Sequence, residues 1–538
     1  MTSKSNTFKF EPIIPELKHG FNPFDLNYWQ DSQKFKELIS NPAELNYFKD
    51  QIEKRHDFKF RNEIAQIIRN QYKSVEIDGC VATNIDLLQK DQTFTIICAH
   101  QPCLMGGPLY WIYKIVSTIK LCQTLKRHYS DYNFIPVYYC GSEDHDFEEI
   151  NHIHVFNQKL EWKSKPGYAV GKMSLNEIPE FFETLLTFFS NSEQANQFLN
   201  KNLQWIRQSE KYVDYYRHFV NELFGSYGLL FFNPDDKDAK TLFSPVIKQE
   251  LLHQFIQKYV HASIPAIENL GFLAQVNPRE LNLFYHHPEG RKRMVFESGL
   301  YKLIDASNTW NQEEILYELE TKPELFSPNV LLRPLFQEYI FPNLAFVGGG
   351  GEIAYWLELK TSFDSVNIPY PLIFRRFSAI YFEAGILQKI SKTSFSKIDF
   401  LDSINHLESN FVNNQTSTYI LNPADFITIN KLLEKIKVDS SQLDQSTRTS
   451  IESEIHKITK SLEHIENKHL KSIKNKFENE LVQIRKIKDQ LFPNQTIQER
   501  YQNFLPYYFK HGKSYVDFLV QMYEPGENKL YLIEETLT

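Results

Sequence analysis

The chain has 538 residues, a net charge of −8 and a hydrophobic content of 42%, which together predict a folded protein of two or three domains. The acidic balance excludes a general nucleic-acid binder, which needs clustered positive charge. No apolar run approaches the ~20 residues that span a bilayer, and residues 1–6 lack an apolar signal core, so a cytoplasmic protein without membrane contact is expected.

A strand, a helix and a second strand follow one another in the first third of the chain. The apolar run Thr93 to Ala99 predicts a buried strand. Apolar residues then recur every three or four positions from Leu109 to Leu125, which predicts a helix beginning near Pro108. The run Phe134 to Cys140 completes a βαβ unit with parallel strands. Ligands of open α/β sheets bind beyond the carboxyl ends of such strands, so the active site is predicted there.

Polar residues follow the first predicted strand directly. His100 is a candidate for proton transfer, because an imidazole exchanges protons near neutral pH. The helix start near Pro108 presents free amides that favour a phosphate or a carboxylate. The candidate binding residues at this strand end are Gln101, Gly106, Gly107, Tyr110 and Lys114.

An acidic turn follows the second predicted strand. Its candidate residues are Glu143, Asp144, His145 and Asp146. Such a cluster can orient an amine or a hydroxyl, hold a magnesium nucleotide, or raise the pKa of a neighbouring histidine. Asp144 and His145 are the candidates for catalysis, and Glu143 and Asp146 for binding. The alternative is that Ser142 and Asp144 cap the next helix.

A glycine-rich loop gives the third candidate segment. The strand 343–347 leads into Gly348, Gly349, Gly350 and Gly351, and a helix is predicted from Glu352 to Lys360. Free amides at such a loop would form an anion cradle. The loop lacks the lysine and hydroxyl of a Walker loop and is not Gly-x-Gly-x-x-Gly. Arg333, just before a proline, is the predicted bidentate partner for a carboxylate or phosphate. The alternatives are a tight turn and an ion pair.

The remaining segments of the core predict further helices and strands but carry fewer candidate site residues. Residues 176–224 and 237–270 are predicted to be helical insertions around the sheet. Residues 228–236 predict a third buried strand that ends in polar residues. Met294 to Ile304 predicts a hairpin, and a short helix is predicted from Asn84.

A long helical arm is predicted after residue 378. Apolar residues recur at heptad spacing and define the seam, which consists of Ile451, Ile455, Ile458, Leu462, Ile465, Ile473, Phe477, Leu481, Ile484 and Leu491. The seam is interrupted at His469-Leu470 and then resumes, and the predicted helix has roughly 40 residues, which corresponds to about 60 Å. Either helices within 379–437 or a second subunit would cover the seam. Residues 497–522 are predicted to be helical and 529–533 to form a last strand.

Cysteine usage bears on metal binding. Five cysteines in a chain of this length do not form a disulfide framework. Cys98, Cys103 and Cys140 fall close to His100 and His145, and thiolates and imidazoles are ligands of zinc. No Cys-x-x-Cys or His-x-x-x-His spacing accompanies them. We therefore interpret them as core residues, with zinc unlikely and no metal ligand assigned.

Three motifs in order resemble the bacillithiol biosynthesis cysteine-adding enzymes, the BshC family. They are Gly106-Gly107-Pro108-Leu109-Tyr110-Trp111-Ile112-Tyr113-Lys114, then Gly141-Ser142-Glu143-Asp144-His145-Asp146-Phe147, then Leu332-Arg333-Pro334 with Phe346 through Trp356. The resemblance implies addition of cysteine to glucosaminyl-malate, a Rossmann-like core akin to class I aminoacyl-tRNA synthetases, a coiled-coil domain and a homodimer. Likeness to synthetases also implies ATP with magnesium, although no second histidine follows His100 three residues on.

The sequence therefore predicts an α/β enzyme with a Rossmann-like parallel-sheet core, helical insertions and an α-helical coiled-coil domain. The predicted parts are a core at 1–377, an arm at 378–496 and a segment returning to the core at 497–538. The predicted substrates are cysteine and glucosaminyl-malate. The alternatives are a synthetase-like nucleotidyl transferase that acts on another carboxylate, and a non-catalytic coiled-coil interaction protein.

Overall fold

The computed structural model describes residues 7–164, 167–415 and 423–536. Residues 1–6, for which the sequence analysis predicts no signal core, lie outside the described residues. Residues 416–422, within the predicted helical stretch 379–437, also lie outside them. The chain divides into two compact units. The core unit comprises Phe8–Ile380 and Ile497–Ile533, and the arm unit comprises Tyr381–Thr496 with short terminal pieces of the chain.

The strands of the described residues are, in chain order, β1 (Phe8–Ile13), β2 (Thr93–His100), β3 (Asn133–Cys140), β4 (His152–Val155), β5 (Gln158–Glu161), β6 (Leu230–Phe232), β7 (Leu283–His287), β8 (Gly290–Glu297), β9 (Leu300–Leu303), β10 (Thr309–Trp310), β11 (Phe326–Pro328), β12 (Asn343–Gly348), β13 (Leu372–Arg375), β14 (Ser378–Phe382) and β15 (Leu530–Glu535).

The α-helices of the same residues are α1 (Pro23–Gln30), α2 (Phe48–Arg55), α3 (Arg61–Gln71), α4 (Gly79–Leu87), α5 (Tyr110–His128), α6 (Phe147–Ile150), α7 (Ile178–Phe188), α8 (Glu193–Gln208), α9 (Tyr212–Phe224), α10 (Lys237–His253), α11 (Phe255–Asn269), α12 (Gln312–Thr321), α13 (Arg333–Ile340), α14 (Gly350–Leu357), α15 (Lys360–Ser365), α16 (Ala384–Ile390), α17 (Ile404–Gln415), α18 (Pro423–Asp439), α19 (Gln445–Lys476), α20 (Glu478–Leu491), α21 (Leu505–His511) and α22 (Lys513–Met522). Among these residues, no helix is both long and apolar enough to span a membrane.

The central sheet confirms the predicted Rossmann-like core. Its strand order is β13-β12-β2-β3-β6, and every neighbouring pair is parallel. β2 and β3 pair over their whole length, from Thr93 opposite Asn133 to His100 opposite Cys140. Both strands are almost wholly buried, because helices cover both faces of a parallel sheet and leave room only for apolar residues. The carboxyl ends of β2, β3 and β12 therefore meet at one edge.

The segment inserted between β6 and β12 contains more than the predicted helices. Five strands form an antiparallel sheet in the order β10-β9-β8-β7-β11. The predicted hairpin is present as β8 and β9, but β8 begins at Gly290, four residues before Met294. The prediction missed β7 and β11 because their short runs mix polar and apolar residues. A third sheet has the order β1-β15-β14.

Three predicted helix boundaries were wrong. α4 begins at Gly79, capped by Asp78, rather than at Asn84. Residues 497–503 contain a single 3-10 turn, Gln498–Arg500, and two isolated bridges, and α-helix begins only with α21 at Leu505. α14 begins at Gly350, so two of the four glycines lie inside the helix and Gly349 alone separates it from β12.

The arm unit is helical, with α18 packed against α19 and α17 against α20. The prediction of a single helix was wrong at one point: α19 runs continuously through His469-Leu470 to Lys476, and the helix is broken at Phe477, which has φ −111° and ψ 26°. The C-terminal part of the seam is buried at Leu481, Ile484 and Leu491. Earlier in the chain, on α19, two seam residues are each 44% exposed, Ile458 and Ile465. The helix α18 thus supplies a folded-back mate that covers only part of the seam.

Candidate active site

A cavity of about 810 Å³ lies at the carboxyl ends of β2, β3 and β12, facing the inserted sheet. Twelve of the predicted site residues line it, namely His100, Gln101, Tyr110, Lys114, Glu143, Asp144, His145, Arg333, Gly349, Gly350, Gly351 and Glu352. The other four, Gly106, Gly107, Asp146 and Gly348, are not among its lining residues. Parallel strands thus bring together residues that are 250 positions apart in the chain.

The acidic turn contributes two carboxylates that share one amide. Gln101 Nε2 donates to Asp144 Oδ2 at 2.7 Å and to Glu149 Oε2 at 2.9 Å. Within the described chain, neither carboxylate has a lysine or arginine nitrogen within 4 Å. Asp144 Oδ1 accepts from the backbone N–H of His145 at 2.7 Å, which fixes the turn. We call Asp144 and Glu149 the acidic pole, because their remaining lone pairs suit an ammonium or hydroxyl donor.

The capping alternative holds for a different residue of the turn. Asp146 is the N-cap of the short helix α6, and its Oδ1 accepts from the N–H of Glu149 at 3.3 Å. Ser142 instead donates its hydroxyl to Asn233 Oδ1 at 2.5 Å. Asp144 binds the backbone of the turn through Oδ1 and Gln101 through Oδ2 and lines the cavity, whereas Asp146 caps α6 and is not among the lining residues.

Glu143 belongs to a buried ion cluster beside the cavity. Its Oε1 lies 2.7 Å from Lys240 Nζ, which also lies 2.9 Å from Asp235 Oδ1. His286 Nε2 lies 3.2 Å from the same Glu143 oxygen. Burial opposes ionisation of Glu143, but the Lys240 ammonium lowers its pKa to about 2. Glu143, Asp235 and His286 could hold a metal ion in the described chain, and the ammonium of Lys240 already provides a cation there.

His100 lies in a dry and positively charged surrounding. Its Nδ1 is 3.5 Å from Lys114 Nζ, and its Nε2 is 3.6 Å from the Sγ of Cys103. Burial, together with Lys114 and Arg376, holds the pKa of His100 well below its usual 6.5. The imidazole is therefore neutral at physiological pH and a weak base.

Lys114 makes several contacts with the protein itself. Its Nζ donates to the carbonyl of Ala99 at 2.9 Å and lies 2.5 Å from Glu352 Oε2. The same Glu352 oxygen accepts from the N–H of Gly349 at 3.0 Å. Lys114 thus ties the end of β2 to the start of α14, and a carboxylate already caps the first amide of the glycine segment.

The glycine segment is required for close packing rather than for unusual dihedrals. None of its four residues has a positive φ. A Cβ on Gly350 would overlap the carboxyl group of Asp25, whereas a Cβ on Gly351 would meet nothing within 4 Å. A Cβ on Gly349 would lie 3.5 Å from the Nε of Arg376. That Nε is buried and has no hydrogen-bond partner in the described chain, so a donor for an anion lies beside Gly349.

Arg333 contacts neutral partners. Its Nη1 donates to Gln337 Oε1 at 3.1 Å and its Nη2 to the hydroxyl of Tyr355 at 3.2 Å. The guanidinium carbon also lies 5.4 Å from the ring centre of Tyr139. No carboxylate of the described residues lies within 4 Å, so Arg333 forms no salt bridge there and lines the cavity without one.

The inserted sheet adds arginines that the sequence prediction missed. Arg279, Arg291 and Arg293 line the cavity, and Arg291 Nη1 lies 3.2 Å from His145 Nδ1. Burial and Arg291 together lower the pKa of His145. An arginine at every second position of a strand places both side chains on one face, so the Arg-x-Arg pattern is the signal that could have found them.

Two residues of the segment after the arm, which the sequence analysis did not name as site residues, contact residues around the cavity. Asn503 Nδ2 donates to the carbonyls of Met105 at 3.0 Å and Gly107 at 2.6 Å, fixing the turn between β2 and α5. Glu499 Oε1 lies 2.8 Å from Arg376 Nη2. Gly106 and Gly107 both have positive φ, so glycine is required there by the turn itself.

The fold and the site define a Rossmann-like enzyme with an appended coiled-coil domain and a cavity lined by charged groups of both signs. A family model for the bacillithiol biosynthesis BshC N-terminal Rossmann-like domain matches residues 13–377, and one for the BshC C-terminal coiled-coil domain matches residues 379–535. The chain belongs to the BshC family of bacillithiol biosynthesis.

Relatives agree over almost the whole chain. A protein of Flavobacterium johnsoniae named "Putative cysteine ligase BshC" is 36% identical over 95% of this chain and 97% of its own. Proteins with the same name from Christiangramia forsetii and Bacillus cereus are 33% and 26% identical, over 96% and 94% of this chain and 98% and 95% of their own. These relatives support a ligase and do not favour the transferase or interaction-protein alternatives.

Proposed function

We propose that this protein joins the carboxyl group of cysteine to the amine of glucosaminyl-malate. The observation that carries the proposal is that one cavity contains charged groups of both signs. The acidic pole, Asp144 and Glu149, comes from the turn and the short helix that follow β3, and the guanidinium groups of Arg279, Arg291, Arg293 and Arg333 line the same cavity. A substrate with an amine at one end and carboxylates at the other is complementary to such a cavity, and its volume suits a ligand of this size.

The chemistry requires an amine that has lost its proton. In the reaction an amide bond forms between the carboxyl carbon of cysteine and the sugar nitrogen, one carboxyl oxygen leaves, and the nitrogen gives up protons. The acidic pole would orient the amine by accepting its N–H groups. His145, partly exposed and with a lowered pKa, is neutral near pH 7 and would accept a proton. His100, although suited by position, is a weaker base because of its charged neighbours.

Activation of the carboxylate is assigned to ATP with magnesium. The unpartnered Nε of Arg376 beside Gly349 fits an anionic group such as a phosphate, and Arg333 adds positive charge nearby. Bound ATP would supply the energy that turns the departing carboxyl oxygen into a good leaving group. The residues of this chain would bind and orient the reactants and exclude water.

The test uses purified protein with cysteine, glucosaminyl-malate and magnesium ATP, with mass spectrometry of the thiol product. We expect an amide product and, with ¹⁸O in the cysteine carboxyl group, one labelled oxygen in AMP or in inorganic phosphate. Absence of the amide under all conditions overturns the proposed function. Formation of the amide at an unchanged rate without ATP would contradict the use of ATP but would still support amide formation by this protein.

We also propose a cytoplasmic homodimer. The partly exposed seam of α19 supports the dimer, because a second copy could cover residues that α18 leaves in water. Light scattering of the full chain measures the oligomeric state directly.

A further inference from the structure

The cations around the cavity differ in how they are neutralised. Lys114 pairs with Glu352, Arg376 pairs with Glu499, and Arg500 Nη2 lies 3.8 Å from Asp25 Oδ2. These groups belong to the parallel-sheet side. On the inserted-sheet side, Arg279, Arg291 and Arg293 have no carboxylate within 4 Å among the described residues. We call these three the arginine face.

The register of the inserted sheet explains why the arginine face points at the cavity. Arg293 pairs across β7 with Phe284, and Arg291 pairs with His286. Directly opposed residues of an antiparallel pair share one face of the sheet, so these four side chains lie on the cavity side. Lys292 lies opposite Tyr285, on the other face.

Arg291 is held in place before any ligand arrives. Its guanidinium carbon lies 3.9 Å from the ring centre of Phe284, its Nε donates to Ser327 Oγ at 3.0 Å, and its Nη2 donates to the carbonyl of Pro328 at 2.8 Å. All of these partners are neutral. Burial lowers the pKa of Arg291 and the charges of Glu143, Asp144 and Asp235 oppose that shift, but none of these carboxylates is within 4 Å of the guanidinium. A guanidinium that neutral partners hold rigidly is a preorganised anion donor, since little further ordering is needed on binding.

The other two arginines complete a graded set. The Nε of Arg293 is buried and lacks a partner within the described chain, whereas Arg279 is exposed at the rim. A buried guanidinium without a counter-charge is unfavourable, and an anionic ligand would relieve that. A planar guanidinium can bind a carboxylate through two parallel N–H groups. The three guanidinium groups of the arginine face are therefore enough to bind two carboxylates at once.

We infer that the arginine face, Arg279, Arg291 and Arg293, is the subsite for a dicarboxylate end of the substrate, whose amine the acidic pole would hold. The inference rests on the proposed function and adds which residues of the cavity recognise the malyl group.

The test measures binding by calorimetry on the full chain, without cysteine and without turnover. Glucosaminyl-malate carries the dicarboxylate, methyl glucosaminide carries the amine alone, and magnesium ATP reports phosphate binding. The variants are Arg293→Met and the rim variant Arg279→Met, which removes an exposed side chain and leaves the fold intact. The matched control is Lys292→Met, one residue away on the opposite face of β8.

We expect each arginine variant to weaken the binding of glucosaminyl-malate roughly tenfold or more, because each loses a charged hydrogen bond to the ligand. Binding of methyl glucosaminide and of ATP should be unchanged, and Lys292→Met should behave as the unmodified protein. An equal loss for both sugars, a loss for ATP instead, or no detectable binding of glucosaminyl-malate to the unmodified protein would overturn the inference. Because no turnover is needed, the subsite can be confirmed even where thiol synthesis fails.

Discussion

Lys114 Nζ lies 2.5 Å from Oε2 of Glu352, and this ion pair joins the helix of the predicted βαβ unit to the helix that follows the glycine segment. Lys114 lies on α5 and Glu352 on α14, and the Lys114 ammonium contacts β2 at the carbonyl of Ala99. The Lys114 side chain is 2% exposed and that of Glu352 is 24% exposed, so the pair lies at the boundary between the core and the cavity.

Lys114→Met should destabilise the protein strongly. The change leaves the Glu352 carboxylate and the Ala99 carbonyl without their shared donor, so the free energy of unfolding should fall by about 3 kcal/mol, the lower end for a broken buried pair. Denaturant titration measures it. The control is Lys120→Met on the same helix, whose partner Glu524 is 49% exposed and which should cost less than about 1 kcal/mol. Equal losses would show that Glu352 does not depend on Lys114.

Asp144→Asn should abolish most of the activity and preserve the fold. The variant keeps an oxygen for the backbone of the turn but loses the charge at the acidic pole, so thiol formation should fall about 100-fold or more. The melting temperature should change little. Asp146→Asn is the matched control, since Asp146 caps α6 outside the cavity and should retain activity. Activity lost equally in both variants would assign the turn a structural role only.

His100 should make the protein less stable in mild acid. Its pKa is lowered in the folded state, so between the ordinary value of 6.5 and the folded value the unfolded chain binds a proton that the native state does not. Stability therefore rises with pH through this window and is lost as pH falls below 6.5. In His100→Gln the free energy of unfolding should fall less steeply as the pH is lowered below 6.5, and a slope equal to that of the unmodified protein would contradict the assignment.

Two neighbouring glycines should respond in opposite directions to alanine. Gly350→Ala places a methyl group against Asp25, which binds Arg375 through both oxygens at 2.8 and 2.9 Å, so a loss of about 3 kcal/mol is expected. Gly351→Ala meets open space in the first turn of α14 and should stabilise by about 0.5–1 kcal/mol. Thermal melts of the two variants measure both changes. Equal destabilisation would mean that both positions need glycine for the backbone.

The sequence predicted the parts of the site that lie at strand ends and missed those that arrive from elsewhere. His100 and the acidic turn follow contiguous apolar runs, whose period and length are local signals. Arg291 and Asn503 reach the cavity or the turn beneath it through tertiary packing, from positions about 150 and 400 residues away from their contacts. No periodicity encodes such contacts. The glycine segment was recognised, but its reason, the carboxyl group of Asp25, lies more than 300 residues earlier in the chain.

Leu462→Glu tests how the seam of the arm is covered. Leu462 is half-buried on α19, between Ile458 and Ile465, which are each 44% exposed. Burial of such a side chain contributes roughly 1.5–3 kcal/mol, so a charge there is costly wherever a partner covers it. We expect light scattering to show a dimer for the unmodified chain and a shift toward monomer for Leu462→Glu. Ser461→Glu, an exposed neighbour with the same charge change, should remain dimeric. A monomeric unmodified chain would leave α18 as the mate, and a dimer that survives Leu462→Glu would place the subunit contact elsewhere.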